Sequence, residues 1–511
     1  MKELMLAAPV FLPLAGGAVL LTLSGRQKDS PAIKIVSGAF TLGVSLVIFW
    51  LLGRKPEDGL VLFRLYGSLT VKFQMDAMGS VFLSLIGFLW PLATLYAFEY
   101  MKHEERKPAF FAYYLMTYGI TAGIALAGNL VTLYLFYEML TLVTFPLVLH
   151  PMTKEAQRTS RKYLYYSISG AAFAFIGLVF LLSYSATGTT EFIAGGNLNI
   201  QAARGQKNLL LLAYVLAFFG FGVKAALFPV HGWLPKATVA PTPVTALLHA
   251  VAVVKSGAFA ILRLTYFSYG TAFLKGTWAQ WVVLAATIIT IAFGSTMAVR
   301  ETHWKRRLAY STISNLSYIL FGAALMSPLG IMASLCHLMA HAFMKICSFF
   351  CAGAVMHQTG KTFVYELNGL GKKMPVTFAC LTIASLSLMG IPLFAGFISK
   401  WNLIQAAFLL GSDWTKGAGM GWILPFIGAG VILYSALMTG IYMLTVLVRA
   451  YFPKEISEDP GSDETEERIT DPGWKMLLPL LIFAAVILLM GLNSEAFLRM
   501  DLLRQIGGAI G

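Results

Sequence analysis

The sequence predicts an all-α polytopic membrane protein with about fourteen transmembrane helices. Of its 511 residues, 58% are hydrophobic and only 12% are charged, and the mean hydropathy is +0.72. A soluble domain carries about 25% charged residues. Apolar runs of the length a bilayer demands, about 20 residues, recur from one end of the chain to the other. Two of those runs are interrupted by proline and glycine. Freed backbone groups cannot face lipid, so such breaks must be packed in protein or line a wet cavity.

Taken in order, the apolar segments fall near 4–24, 33–52, 78–98, 109–127, 129–150, 162–184, 208–229, 240–266, 280–299, 308–325, 331–356, 376–410, 422–449 and 474–496. The first, "LMLAAPVFLPLAGGAVLLTL", lacks a small-x-small cleavage site near its end and is expected to be a retained helix. The seventh ends in "KAALFPVHGWLPKA", where Pro229 and Pro235 interrupt helical hydrogen bonding. The twelfth carries "LMGIPLFAGFISK", broken at Gly390 and Pro392. Each break is fourth in a set of five segments, which points to two inverted repeats, segments 4–8 and 9–13. No residue-level repeat accompanies them. The expected division is 1–107 (three helices), 108–270 and 271–452 (the two five-helix sets), 453–473 (an acidic loop) and 474–511 (the last helix).

Loop charge sets the expected orientation. Arg26, Lys28, Lys34, "MKHEERK", Lys154, Arg158, Arg161, Lys162, "RETHWKRR", Lys361, Lys372 and Lys373 follow odd-numbered segments, and the opposite loops hold about half as many basic residues. Odd loops are therefore expected in the cytoplasm and both termini on the outer side of the cell (inner or plasma) membrane. The same bias accounts for the net charge of +14. No basic stripe interleaves with aromatics, so nucleic acid is not an expected partner. The segment "PKEISEDPGSDETEERITDP" (453–472) reads as a solvated connection, with docking of a soluble partner as its other role. Cys336, Cys347, Cys351 and Cys380 lie in apolar segments without C-x-x-C spacing and read as small core residues.

Five charges sit inside spans: Glu138, Lys224, Lys255, Lys345 and Lys400. A charge at the bilayer centre costs roughly 2.5–3.5 kcal/mol, so five unpaired would cost about 12–17 kcal/mol. Pairing or hydration must offset that. Lys224 and Lys400 lie near breaks and could snorkel; Glu138 and Lys255 lie well inside their segments. A purely structural Glu138–Lys224 pair is the plainer alternative.

In "CHLMAHAFMKIC" (336–347), His337, His341 and Lys345 step by four residues, about 6 Å of rise and 40° of drift each. They line one face. Histidine exchanges protons near neutral pH, so a relay is the favoured reading. Metal binding by the two histidines is disfavoured: the helix adds no carboxylate at a useful spacing, Lys345 opposes a second cation, and "HLMAH" lacks the glutamate of H-E-x-x-H. His231, in the first break, and His249, in the eighth segment, stand open between relay member and packed hydrogen-bonder.

At these residues the sequence resembles a known family. "KAALFPVHGWLPKA" (224–237), "APTPVTALLHAVAVVKSGAF" (240–259) and "HLMAHAFMKICSFFCAGAV" (337–355) are similar to the antiporter-like subunits. These comprise the large proton-pumping membrane subunits of respiratory complex I, the Mrp cation/proton antiporter subunits, and their counterparts in membrane-bound hydrogenases and sulfane sulfur reductases. The resemblance implies fourteen helices in two inverted five-helix bundles. It implies that Glu138 pairs with Lys224, that Lys255 connects to His337, His341 and Lys345, and that Lys400 in "GFISKW" is the terminal residue. It fits the D-type Mrp subunit and its hydrogenase counterparts best, since no lateral helix follows helix 14.

The expected function is proton or cation translocation as one subunit of a multi-subunit complex, coupled to redox chemistry or to Na+/H+ exchange. If Glu138 approaches Lys224, the lysine holds its proton; if they part, the proton moves along water toward Lys255. There is no dinucleotide fingerprint, P-loop or cysteine cluster, so no cofactor is expected in this chain. Iron–sulfur, nickel–iron or flavin sites are expected only on partner subunits. The expected partners are other membrane subunits, protons, the bilayer and, left open, Na+. The rivals are a self-sufficient secondary transporter, a stand-alone Mrp Na+/H+ antiporter subunit, and an inert scaffold.

Overall fold

The computed structural model describes residues 4–23, 31–56, 58–415, 423–453, 469–493 and 506. Its helices in chain order are α1 (Ala8–Leu23), α2 (Pro31–Arg54), α3 (Ala77–Tyr100), α4 (Lys107–Ala125), α5 (Leu130–Leu149), α6 (Lys154–Ser183), α7 (Ile200–Ala203), α8 (Lys207–Gly222), α9 (Thr242–Ala250) and α10 (Val253–Arg263). There follow α11 (Thr271–Leu274), α12 (Trp278–Arg300), α13 (Trp304–Ala324), α14 (Pro328–Thr359), α15 (Leu370–Lys373), α16 (Pro375–Met389), α17 (Ala395–Thr415), α18 (Ile423–Tyr451) and α19 (Trp474–Leu492). Among the described residues, ten helices are long and apolar enough to cross a membrane, and Ala8–Thr22 and Pro375–Met389 are shorter apolar helices. The protein is an all-α polytopic membrane protein.

Helix starts follow local chemistry. Asp76 caps α3 by accepting from the Gly79 amide at 2.7 Å, and Asn129 caps α5 through the Thr132 amide at 2.8 Å. Thr153 caps α6 and Ser327 caps α14, each accepting from an amide at 3.1 Å. Each cap satisfies a donor that the first helical turn leaves free.

Three features differ from the sequence expectation. An antiparallel hairpin, β1 (Leu60–Tyr66) and β2 (Leu69–Phe73), precedes α3, pairing Leu60 with Phe73 and Tyr66 with Leu69. Segment 240–266 is two helices rather than one. The Ala252 amide donates to the Leu247 carbonyl at 2.9 Å, a wide turn that separates α9 from α10 without glycine or proline. A π-helical turn, Leu264–Tyr269, then extends α10. The acidic stretch 453–472 lies mostly outside the described residues, as do Arg26 and Lys28.

Both expected breaks are present in the backbone. After α8 the chain turns through 223–235, and between α16 and α17 it passes through Gly390 and Pro392. A Cβ on Gly396 would lie 1.8 Å from the Ser387 carbonyl oxygen, so only glycine lets α17 start this close to α16.

The core is organised around two helical stretches, Thr242–Tyr269 and the 333–355 part of Pro328–Thr359, in which every residue is buried in protein. α14 packs against α9, α13, α16, α17 and α19, and α10 against α5, α8 and α13. α2, α6, α18 and α19 present much of their apolar surface outward. Lys255, His337, His341 and Lys345 thus lie on stretches buried inside the protein, each with a side chain that is fully enclosed. That removes most of the insertion cost estimated from the sequence.

Candidate functional site

Lys224 begins the site. It lies in the break after α8 and is fully buried. Its Nζ donates to the backbone carbonyl of Tyr137 on α5 and lies 3.4 Å from the centre of the Tyr137 ring. Glu138 is the next residue on α5, half-buried, with Oε1 enclosed and without a hydrogen-bond partner. The ion pairs among the described residues are Lys72–Glu191, Arg263–Asp76 and Arg306–Glu301, so no direct Glu138–Lys224 contact forms. The lysine instead meets a carbonyl and a ring face, both of which favour a cation.

α10 lies directly on this break. A Cβ on Gly257 would come within 2.6 Å of the Ala225 amide nitrogen. Lys255, one half-turn earlier, is fully buried, and its Nζ hydrogen-bonds His341 Nδ1 at 2.8 Å. The His341 ring stacks on His337, centroids 5.7 Å apart and planes 11° from parallel. His337 Nδ1 hydrogen-bonds Ser399 Oγ at 2.8 Å. Ser399 is followed by Lys400, whose Nζ donates to the carbonyls of Leu388 (2.6 Å) and Met389 (3.1 Å) across the α16–α17 break. These carbonyls are the ones that α16 leaves unsatisfied at its end. Tyr318 closes the corner, edge-on to His337 at 5.1 Å and with its ring 5.5 Å from Lys400 Nζ.

Lys345 leaves the line. Its Nζ donates to Ser311 Oγ at 2.6 Å and to the Leu308 carbonyl at 3.2 Å, both on α13. Ser311 shares a 2.5 Å hydrogen bond with the Tyr442 hydroxyl on α18. The three residues spaced by four therefore do not form one file. His341 and His337 join Lys255 to Ser399, and Lys345 makes a branch toward α18.

His249 is fully buried on α9, with neither ring nitrogen hydrogen-bonded and its ring 4.9 Å from Phe349. His231 stacks on Phe228 at 5.5 Å and meets Phe293 edge-on at 4.6 Å. Neither histidine hydrogen-bonds a lysine of the line. Pro229 and Pro235 lie in the first break, and Gly390 and Pro392 in the second. His337 Nε2, His341 Nε2 and Asn315 Oδ1 are buried without protein partners. Buried polar atoms of this kind are ordinarily satisfied by ordered water. Among the described residues no group of three or more histidine, cysteine or carboxylate side chains could hold a metal ion.

Sequence reasoning missed several members. Ser399, Tyr318, Ser311 and Tyr442 are neutral and common in apolar helices, so no charge flagged them. Arg263 did carry a signal, a charge inside segment 240–266. It is fully buried among Phe192, Phe259 and Phe267 and clamped by Asp76, with Nη2 donating to Oδ1 at 2.6 Å. Burial alone would raise the Asp76 carboxyl, but the Arg263 charge and the Asp76 hydrogen bonds outweigh it and hold its pKa below the usual value.

The family model described as "NADH:quinone oxidoreductase/Mrp antiporter, TM" matches residues 127–448. A second, "NADH-Ubiquinone oxidoreductase (complex I), chain 5 N-terminus", matches residues 66–111. The A/B subunit of a probable K(+)/H(+) antiporter of Rhizobium meliloti is 33% identical over 78% of this chain, which spans 39% of that protein's length. F(420)H(2) dehydrogenase subunit L of Methanosarcina mazei is 30% identical, covering 93% of this chain and 70% of its own. A chain of the archaeal membrane-bound sulfane sulfur reductase shares the fold, with a TM-score of 0.83 and 24% identity over 99% of this chain and 97% of that one.

Proposed function

From the premise that the chain belongs to the NADH:quinone oxidoreductase/Mrp antiporter membrane family, we propose that it moves protons through the Lys255–His341–His337–Ser399 line as one subunit of a multi-subunit membrane complex. The hydrogen bond between Lys255 and His341 carries the reading. It joins an ammonium that can release a proton to an imidazole that can take one, at a point where both side chains are fully buried.

On this reading Lys224 is the supply side. Its proton is held by the Tyr137 carbonyl and ring, and Glu138 swings toward or away from it. Release sends the proton along water to Lys255, and then by ring exchange from His341 to His337. Ser399 and Lys400 receive it at the second break. Each transfer alters the field at the next group, so the line titrates as a coupled set. The broken helices give water access at either end. Fourteen spans in two inverted five-helix repeats fit this use of the breaks, with both termini outside and the protein in the cell membrane.

The chain supplies no redox site on this proposal. Partner subunits would carry any iron–sulfur, nickel–iron or flavin group. Relatives named as cation/proton antiporter subunits support a second reading, in which exchange of Na+ or K+ against protons drives the line. The test is the intact complex reconstituted in vesicles with a pH-sensitive dye inside. Lys255→Ala should abolish proton movement while the complex still assembles; unchanged movement would refute the relay. The co-purifying subunits then separate redox-driven from exchange-driven use.

A further inference from the structure

Away from the relay, α6 and the first break form a groove of about 530 Å³ that opens outward. Its walls are Tyr166 and Phe173 of α6, Leu216 and Phe219 of α8, and Val223 and Pro229 of the break. They are almost wholly apolar.

Basic charge stands at one end. Lys162 lies one helical turn before Tyr166, Arg158 one turn before that, and Lys236 closes the break segment; all three are exposed. α6 packs against the turn that begins at Lys236, and the Lys162 charge beside Lys236 holds the Lys236 pKa below the usual lysine value. Among the described residues, neither lysine has a carboxylate within 4.0 Å. Two ammonium groups side by side repel each other, and an anion between them would relieve that.

Length says which anion. From Lys162 to Phe173 is eleven residues along α6, about 16 Å. Half of the hydrocarbon core is about 15 Å. Charge at the headgroup level followed by an apolar channel one leaflet deep is the shape of a phospholipid, and basic pockets between transmembrane helices take anionic headgroups.

We propose that an anionic phospholipid occupies this groove, its phosphate between Lys162 and Lys236 and one acyl chain lying along α6 and α8 against Val223 and Pro229. Val223 precedes Lys224, so the lipid braces the break that carries the relay's first lysine. The proposal rests on the chain lying in a bilayer and not on the relay, so it can fail or stand independently of proton movement.

The test uses the purified complex, washed in detergent and exchanged into nanodiscs of phosphatidylcholine with a minor share of phosphatidylglycerol. Mass spectrometry reads the phospholipid that stays bound after washing. The wild type should retain phosphatidylglycerol over phosphatidylcholine. Lys162→Gln with Lys236→Gln, both surface changes, should lower that retention at least fivefold. Ser169→Trp, which fills the exposed groove and leaves both lysines, should lower it likewise. A benzophenone amino acid at Tyr165 should cross-link to lipid. No selective retention in the wild type, wild-type retention in both variants, or a cross-link to a helix of another subunit would overturn the proposal.

Discussion

Lys255 and His341 meet at 2.8 Å between two helices, at a point where both side chains are fully buried. The Lys255 amine shares a hydrogen bond with one ring nitrogen, and the other ring nitrogen is buried without a protein partner. A histidine held this way can accept a proton at one face and pass it from the other. The stack on His337 puts the next acceptor one helical turn away.

Groups that act in series should be non-additive. His341→Gln and His337→Gln are each expected to slow proton movement by the reconstituted complex at least tenfold, with little change in thermal stability, since glutamine keeps a polar head of similar reach. The double variant should be no worse than the slower single one. Multiplicative losses in the dye assay would mean that the two rings serve separate paths.

Lys345 gives a sharper discrimination, because it bonds Ser311 and not the histidines. If it feeds the line through Ser311 and Tyr442, Tyr442→Phe should slow proton movement about three- to tenfold, and should do nothing further when added to Lys345→Ala. A Tyr442→Phe variant that pumps at the wild-type rate would reduce Lys345 to an electrostatic neighbour of Lys255.

Arg263 and Asp76 should govern stability rather than transport. Asp76→Ala leaves a buried guanidinium unpaired. Breaking a buried pair costs about 3–5 kcal/mol. The Asp76 side chain is 35% exposed, which puts the expectation at the low end of that range or below it. Asp76→Leu with Arg263→Leu should recover the part of the loss due to the unpaired guanidinium, but not the α3 cap at Gly79. The pH dependence has a fixed sign. The Asp76 pKa is depressed in the folded state, so its contribution is complete above the ordinary aspartate value and is lost as pH falls through the lower folded value. Thermal unfolding in detergent, followed from neutral pH down to pH 3, should show wild type losing more than the double leucine variant.

How much of this was legible follows from what each residue does to hydropathy. Glu138, Lys224, Lys255, Lys345 and Lys400 are charges in apolar runs and stand out against them. Pro229, Pro235, Gly390 and Pro392 mark breaks because they remove hydrogen bonds. The split between α9 and α10 has neither mark: Val251 and Ala252 are ordinary helix-compatible residues, and packing of the two helices decides the turn. That split is why His249 and Lys255, six residues apart, belong to different helices. The β1–β2 hairpin had its signal in "LVLFRLYGSLTVKF", a short apolar run and an alternating one on either side of a Gly-Ser turn, and a search for membrane helices passes over it. Helical spacing correctly put His337, His341 and Lys345 on one face. It could not say that the third would turn to α13, because that choice is made by Ser311 on another helix.

The second break offers a test of geometry without charge. A Cβ on Gly396 would sit 1.8 Å from the Ser387 carbonyl oxygen, which is backbone and cannot give way like a side chain. Gly396→Ala should therefore push α17 away from α16 and carry Ser399 and Lys400 with it. The bond from Ser399 to His337 is then lost even though no titratable group has changed. The expected outcome is assembled complex with proton movement reduced at least tenfold, or failure to assemble. Gly430→Ala on α18 is the control, since a Cβ there meets nothing within 4 Å. It should assemble and pump as wild type, with a small gain in helix stability of about 1 kcal/mol at most. If Gly396→Ala behaves like Gly430→Ala, the close approach of the two half-helices does not position Lys400, and the relay must end elsewhere.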